Sequence, residues 1–154
     1  MMKGTPSRLR MKINTNDIGK IFVAFYDPKH KDTLPYYDQV PIIIPFAFDK
    51  TGFKSFNLHY ISPYQRALIM DGLYKISGGT GDEIKKLSIS YQFLKGASRF
   101  KPMMPCVKQY LWTHFRSPFF TAQPYEWDQI VQLPIARFIG ASNLKVWRDS
   151  AKRF

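Results

Sequence analysis

The chain has 154 residues, with 23 Lys and Arg against 11 Asp and Glu, a formal net charge of +12, and 16% aromatic residues in a 45% hydrophobic composition. That composition excludes a disordered polar tail, and one cysteine, Cys106, excludes an internal disulfide and a cysteine-rich zinc domain. The longest apolar run, around residues 41–48, contains two prolines and falls well short of the roughly 18 residues of a membrane helix; the basic N-terminus is followed by no apolar run of a signal peptide, so a soluble protein of a reducing compartment with no membrane partner is expected.

Residues 1–19 show no periodicity and are expected to form a flexible basic arm. Residues 20–61 read as the β part. Ile21 to Tyr26 is β-branched and aromatic and is stopped by Asp27-Pro28. A polar loop around His30 to Gln39 carries Leu34-Pro35-Tyr36-Tyr37. The run Pro41 to Phe48 predicts an edge or bent strand, because its prolines cannot donate to a ladder. After the turn Asp49 to Gly52, Phe53 to Ile61 predicts a third strand, with Phe56, Leu58 and Tyr60 facing in and Ser55, Asn57 and His59 facing out.

Residues 62–154 read as the helical part of the same domain. Ser62 caps a helix with Pro63 in its first turn, running to about Ile76 before Gly78-Gly79. Asp82 starts a second, which Gly96 closes. Val107, Tyr110, Leu111 and His114 fall at helical spacing after Pro105, predicting a helix there, and a short one is expected over 124–132. Ser142 caps a final helix, with Leu144, Trp147, Ala151 and Phe154 on its packed side and Lys145, Arg148 and Lys152 beside them. The expected fold class is α+β: a small bent antiparallel sheet or SH3-like partial barrel, followed by several short helices.

The charge is unevenly placed. Residues 1–20 hold five bases against Asp17, residues 21–94 hold eight bases and seven acids, and residues 95–154 hold ten bases against three acids. A nearly neutral middle is flanked by two basic ends, as a footprint for a polyanion would be. Arg8, Arg10, Lys12, Lys108, Arg116, Lys145, Arg148, Lys152 and Arg153 are the expected nucleic-acid contacts, touching phosphates without reading sequence. Tyr36 and Tyr37, paired in a loop, are the expected partner-binding residues and the best placed of the aromatics to stack on bases.

Catalytic chemistry has little to build on. His30, His59 and His114 each lack a named partner, and Cys106 reads as a small buried hydrophobe. The acids are scattered singly, and Gly78-Gly79-Thr80-Gly81 lacks the Gly-Lys-Ser/Thr of a phosphate loop. No catalytic residue, metal or cofactor is expected.

Five strings then carry a resemblance: Tyr26-Asp27-Pro28-Lys29; Leu34-Pro35-Tyr36-Tyr37-Asp38 with Pro41; Gly52-Phe53; Asn57-Leu58-His59-Tyr60; and Val146-Trp147-Arg148-Asp149-Ser150. In this order the chain resembles a family of small virion proteins of large contractile-tailed bacteriophages, some labelled DNA end protector and others structural protein. The resemblance covers about residues 20 to 152. It implies a non-enzymatic virion component, assembled in the host cytoplasm and oligomeric, with other virion proteins as partners and DNA as a further one. A head–tail connector or baseplate position is the leading expectation. A protector of packaged DNA ends is the first alternative, and a nuclease or other DNA-processing enzyme the second.

Overall fold

The computed structural model describes residues 9–68, 71, 92, 94–98, 101–123, 126, 129 and 138–152. Eight strands are found among them: β1 (Leu9–Arg10), β2 (Ile21–Val23), β3 (Tyr37–Asp38), β4 (Ile42–Phe48), β5 (Gly52–Asn57), β6 (Val107–Leu111), β7 (Phe119–Ala122) and β8 (Phe138–Ile139). Six form an antiparallel sheet in the order β1-β7-β2-β4-β5-β6, and β3 pairs with β8 apart from it. Short helical segments and the longer helix Asn143–Ala151 pack around the sheet, so the fold is α+β with a bent antiparallel sheet.

The continuous apolar run of β4 follows from its central place, since a strand covered on both faces has no polar side to show. Period-two alternation divides its residues between two cores. Ile42, Ile44 and Phe46 join Ile21, Phe56, Leu58, Ile61, Leu94, Cys106 and Ala122 on one face. Ile43 joins Ile13, Phe22, Ala24, Tyr26, Phe53, Tyr110 and Phe119 on the other. Each such large side chain contributes about 1.5–3 kcal/mol when fully buried. Pro45 is accommodated by a register shift between Pro45 and Ala47. The strand is therefore bent, as expected, but it is interior, and the bulge rather than an edge tolerates the proline.

Aromatic packing fills the second face of the sheet. The segment between β6 and β7 crosses the second face, where Phe53 meets Trp112 at 5.1 Å and Phe115 at 5.7 Å between ring centroids. Tyr26 stands edge-on to Tyr110 and Phe115, 4.8 Å from each, and its hydroxyl accepts the Leu111 N–H at 3.0 Å. Much of the aromatic content is thus core, in the offset and edge-to-face geometries rings prefer.

Four expectations are corrected. The arm predicted over 1–19 does not extend through residues 9–19: Leu9 and Arg10 pair with Phe120 and Phe119, Ile13 is buried, and Asn14 caps a 3₁₀ turn over Thr15–Asp17. Residues 1–8 lie outside the described residues. The β part does not end at residue 61, because β6 and β7 belong to the same sheet. The helix predicted after Pro105 is instead β6; five residues fit either period, and the open edge of β5 supplies a ladder from Gly52↔Leu111 to Phe56↔Val107. The third strand stops at Asn57, whose side chain accepts the His59 N–H at 3.0 Å and turns Leu58–Tyr60 into a 3₁₀ turn.

Helical residues 63–68 follow Ser62 as predicted, and residues 94–98 are helical, so Gly96 lies within helix rather than closing it. The rest of both helices, and most of the helix expected over 124–132, lie outside the described residues.

Candidate nucleic-acid interface

Ser142 opens the helix Asn143–Ala151, its hydroxyl accepting the Lys145 N–H at 3.2 Å. The face that packs is only partly the predicted one: Trp147 belongs to it, but Leu144 does not. Leu144 is 63% exposed, whereas Val146 and Ser150 are buried. Two hydrogen bonds lock this face onto the 3₁₀ turn after β5. The Trp147 indole N–H donates to the His59 carbonyl at 2.8 Å, and the Ser150 hydroxyl donates to the Tyr60 carbonyl at 2.9 Å. Buried Arg66 backs the same turn: its Nε donates to the carbonyls of Leu58 at 2.6 Å and Ile61 at 3.1 Å, and its guanidinium lies 5.4 Å from the Trp147 ring centre. Burial lowers the Arg66 pKa to about 10, against the opposing pull of Asp38.

With that face fixed, helical spacing turns Lys145, Arg148, Asp149 and Lys152 together toward solvent around a shallow depression. Lys145 and Asp149 pair at 2.9 Å. The Lys145 hydrogen bond, outweighing a small burial cost, holds the Asp149 carboxyl below the ordinary range, with help from the Tyr36 hydroxyl and Lys152. The Tyr36 contact joins the basic face to a neighbouring cavity.

That cavity has a volume of about 270 Å³, and tyrosines 26, 36, 37, 60 and 110 line it, with prolines 28, 35 and 105, Lys108, Gln109 and Ser150. The Lys108 ammonium sits 3.9 Å from the centre of the Tyr60 ring, a cation–π contact. Burial raises the Tyr60 pKa, with the charge of Asp38 adding to it. Asp38 and Asn57 form part of the wall. Asp38 is 5% exposed, and its oxygens take hydrogen bonds from His59 Nδ1 at 2.6 Å, Asn57 Nδ2 at 3.0 Å and the Val40 N–H at 3.1 Å. Burial opposes its charge, but the bond to His59 leads the interactions that keep its pKa below the ordinary carboxylate range.

The predicted contacts are therefore only partly brought together. Lys145, Arg148 and Lys152 share one face, and Lys108, Tyr36 and Tyr37 line the adjoining cavity. Arg10 is half-buried and its guanidinium is held by buried Asp17 at 2.6 and 3.2 Å. Lys12 is exposed near β1. Exposed Arg116 donates to the Thr113 carbonyl at 2.8 Å and faces Asp27 at 3.4 Å. Arg8 and Arg153 lie outside the described residues. Cys106 is fully buried, and burial pushes its thiol up to about 12, too high for a reactive thiolate.

Sequence reasoning missed the Asp38–Asn57–His59 network. Asp38 read as one of several scattered acids, and His59 as an outward strand residue. The signal available was the Asn57-Leu58-His59 spacing, in which an Asx side chain turns the backbone two residues on. Among the described residues, no group of three or more His, Cys, Asp or Glu side chains is placed to hold a metal ion, and no helix is long and apolar enough to cross a membrane.

Residues 7–150 match the model of one protein family, described as phage T4 terminal DNA protecting protein. No curated protein and no solved structure matches the chain.

Proposed function

The chain belongs to the phage T4 terminal DNA protecting protein family, and from that premise we propose that it binds the ends of linear phage DNA and shields them without cutting them. The match over residues 7–150 is the observation that carries this reading. The solvent face of the Asn143–Ala151 helix supplies the means: three cations and one acid on a helix that two hydrogen bonds fix to the body. Duplex DNA presents one negative charge per roughly 1.7 Å of axis, and lysine and arginine near it release condensed counterions whatever the sequence. Such a surface suits a protein that must accept any terminal sequence.

The family description names terminal DNA. It thus favours the DNA-end reading, the alternative at the level of sequence, over a connector or baseplate position. Within the proposal the chain is a virion component, with other virion proteins and further copies of itself as its protein partners.

Binding to linear duplex and to closed circular duplex of the same sequence, each titrated with salt, tests the reading. The chain should hold the linear form more tightly, and its affinity should fall steeply as salt rises. Equal affinity for both forms, or an affinity that salt leaves unchanged, would refute it. The nuclease alternative is read in the same samples: with Mg²⁺ or Mn²⁺ added, the linear DNA should stay intact.

A further inference from the structure

We propose that the tyrosine-lined cavity beside the basic helix receives the terminal nucleotide of a DNA end, its base against the rings and its phosphate at Lys108. This rests on the DNA-end reading above and adds to it the device that tells an end from the middle of a duplex.

The walls favour a flat aromatic guest. The cavity of about 270 Å³ is lined by five tyrosines and three prolines, a volume just under the roughly 300 Å³ at which small-ligand sites begin. A base offers a π-face to such walls whatever its identity. Several polar groups on the walls are already engaged: the Ser150 hydroxyl donates to the Tyr60 carbonyl, and Asn57 bridges Asp38 and the His59 N–H. Stacking on ring faces does not discriminate among bases, so the cavity takes any base.

Charge orients the guest. The Asp38 carboxylate is spent on His59, Asn57 and Val40, and as an anion in the wall it keeps a phosphate away from that side. Lys108, over Tyr60, is the cation of the lining. Tyr36 connects this chamber to the helix face at Asp149. A duplex running along Lys145, Arg148 and Lys152 would therefore bring its last nucleotide to the cavity. An internal nucleotide would have to leave the stack at a cost of a few kcal/mol, which is smallest for an unpaired one.

The test uses the full chain and linear duplexes carrying 2-aminopurine, either as a one-nucleotide terminal overhang or internally. Binding should quench the terminal probe and leave the internal one unchanged. Tyr36→Ala and Lys108→Gln should each lower affinity for the linear form by about tenfold and abolish the terminal quench. Tyr36→Phe keeps the ring and should keep the quench, separating stacking from loss of fold. If the chain binds linear DNA preferentially but the terminal probe is unquenched, or if the Ala and Gln variants behave as the parent, the cavity is not the end-binding site and the wider function stands. If the chain binds no DNA, both proposals fall.

Discussion

A carboxylate is tolerated in the interior at position 38 because three donors converge on it, the shortest contact being 2.6 Å to His59. Removing one member of such a buried set strands the others. Asp38→Ala should therefore cost about 3 kcal/mol in denaturant unfolding at neutral pH. The folded chain also holds the Asp38 pKa below its ordinary value. A depressed carboxylate contributes stability that is present above the unfolded pKa, about 3.9, and is lost as pH falls through the folded value. The parent should lose stability as pH falls below about 4, and the Asp38→Ala chain should lose less over the same interval. Parallel acid limbs for the two chains would show that Asp38 is not a stabilising anion. Trp147 supplies a second residue-scale test. Trp147→Phe deletes the 2.8 Å bond to the His59 carbonyl and should lower stability by about 1 kcal/mol.

At the scale of elements, β5 and β6 approach closely at Gly52. A Cβ built there would lie 1.7 Å from the Tyr110 carbonyl oxygen, and backbone cannot yield as a flexible side chain can. Gly52→Ala should destabilise by more than about 2 kcal/mol, read as a lower midpoint in thermal or denaturant unfolding. The Asn143–Ala151 helix makes the opposite kind of prediction, since its basic face faces solvent. Arg148→Glu with Lys152→Glu should leave stability nearly unchanged while weakening DNA binding, and should reduce the salt slope by about 2. Lys50→Glu, in the turn before β5 and away from that face, should change neither.

The elements also show how far the sequence could be read. Ile42 to Phe48 and Phe53 to Asn57 were legible because long β-branched and aromatic runs leave little choice of structure. Val107 to Leu111 was not, because its fate depended on β5 lacking a neighbour, a fact some fifty residues away in the chain. Leu9 and Arg10 are two residues long and carry no periodicity at all. Ser142 places the helix at 143, and Trp147 packs as its spacing suggests, but Leu144, the larger apolar residue, is exposed, while small Ser150 is buried to reach the Tyr60 carbonyl. The site was half legible. Lys145, Arg148 and Lys152 follow from spacing alone, whereas the cavity joins residues from 26 to 150, and only the fold assembles it.

The whole molecule divides into a scaffold and a surface. Two aromatic and aliphatic cores pack the two sides of one bent sheet. The net charge of +12 is expressed in part on one helix face beside one cavity. Several acids are occupied in holding structure: Asp17 with Arg10, Asp38 with His59 and Asp49 with its own turn. The proposed DNA surface thus occupies one place on a molecule held together elsewhere by burial. Protection of DNA ends is the central claim, and it is tested most directly by digesting linear duplex DNA with a processive exonuclease in the presence of a saturating amount of the chain. Full-length DNA should persist, an endonuclease should still cut the same DNA internally, and Arg148→Glu with Lys152→Glu should remove the protection. Exonuclease digestion at the unprotected rate, or equal protection against both enzymes, would contradict it.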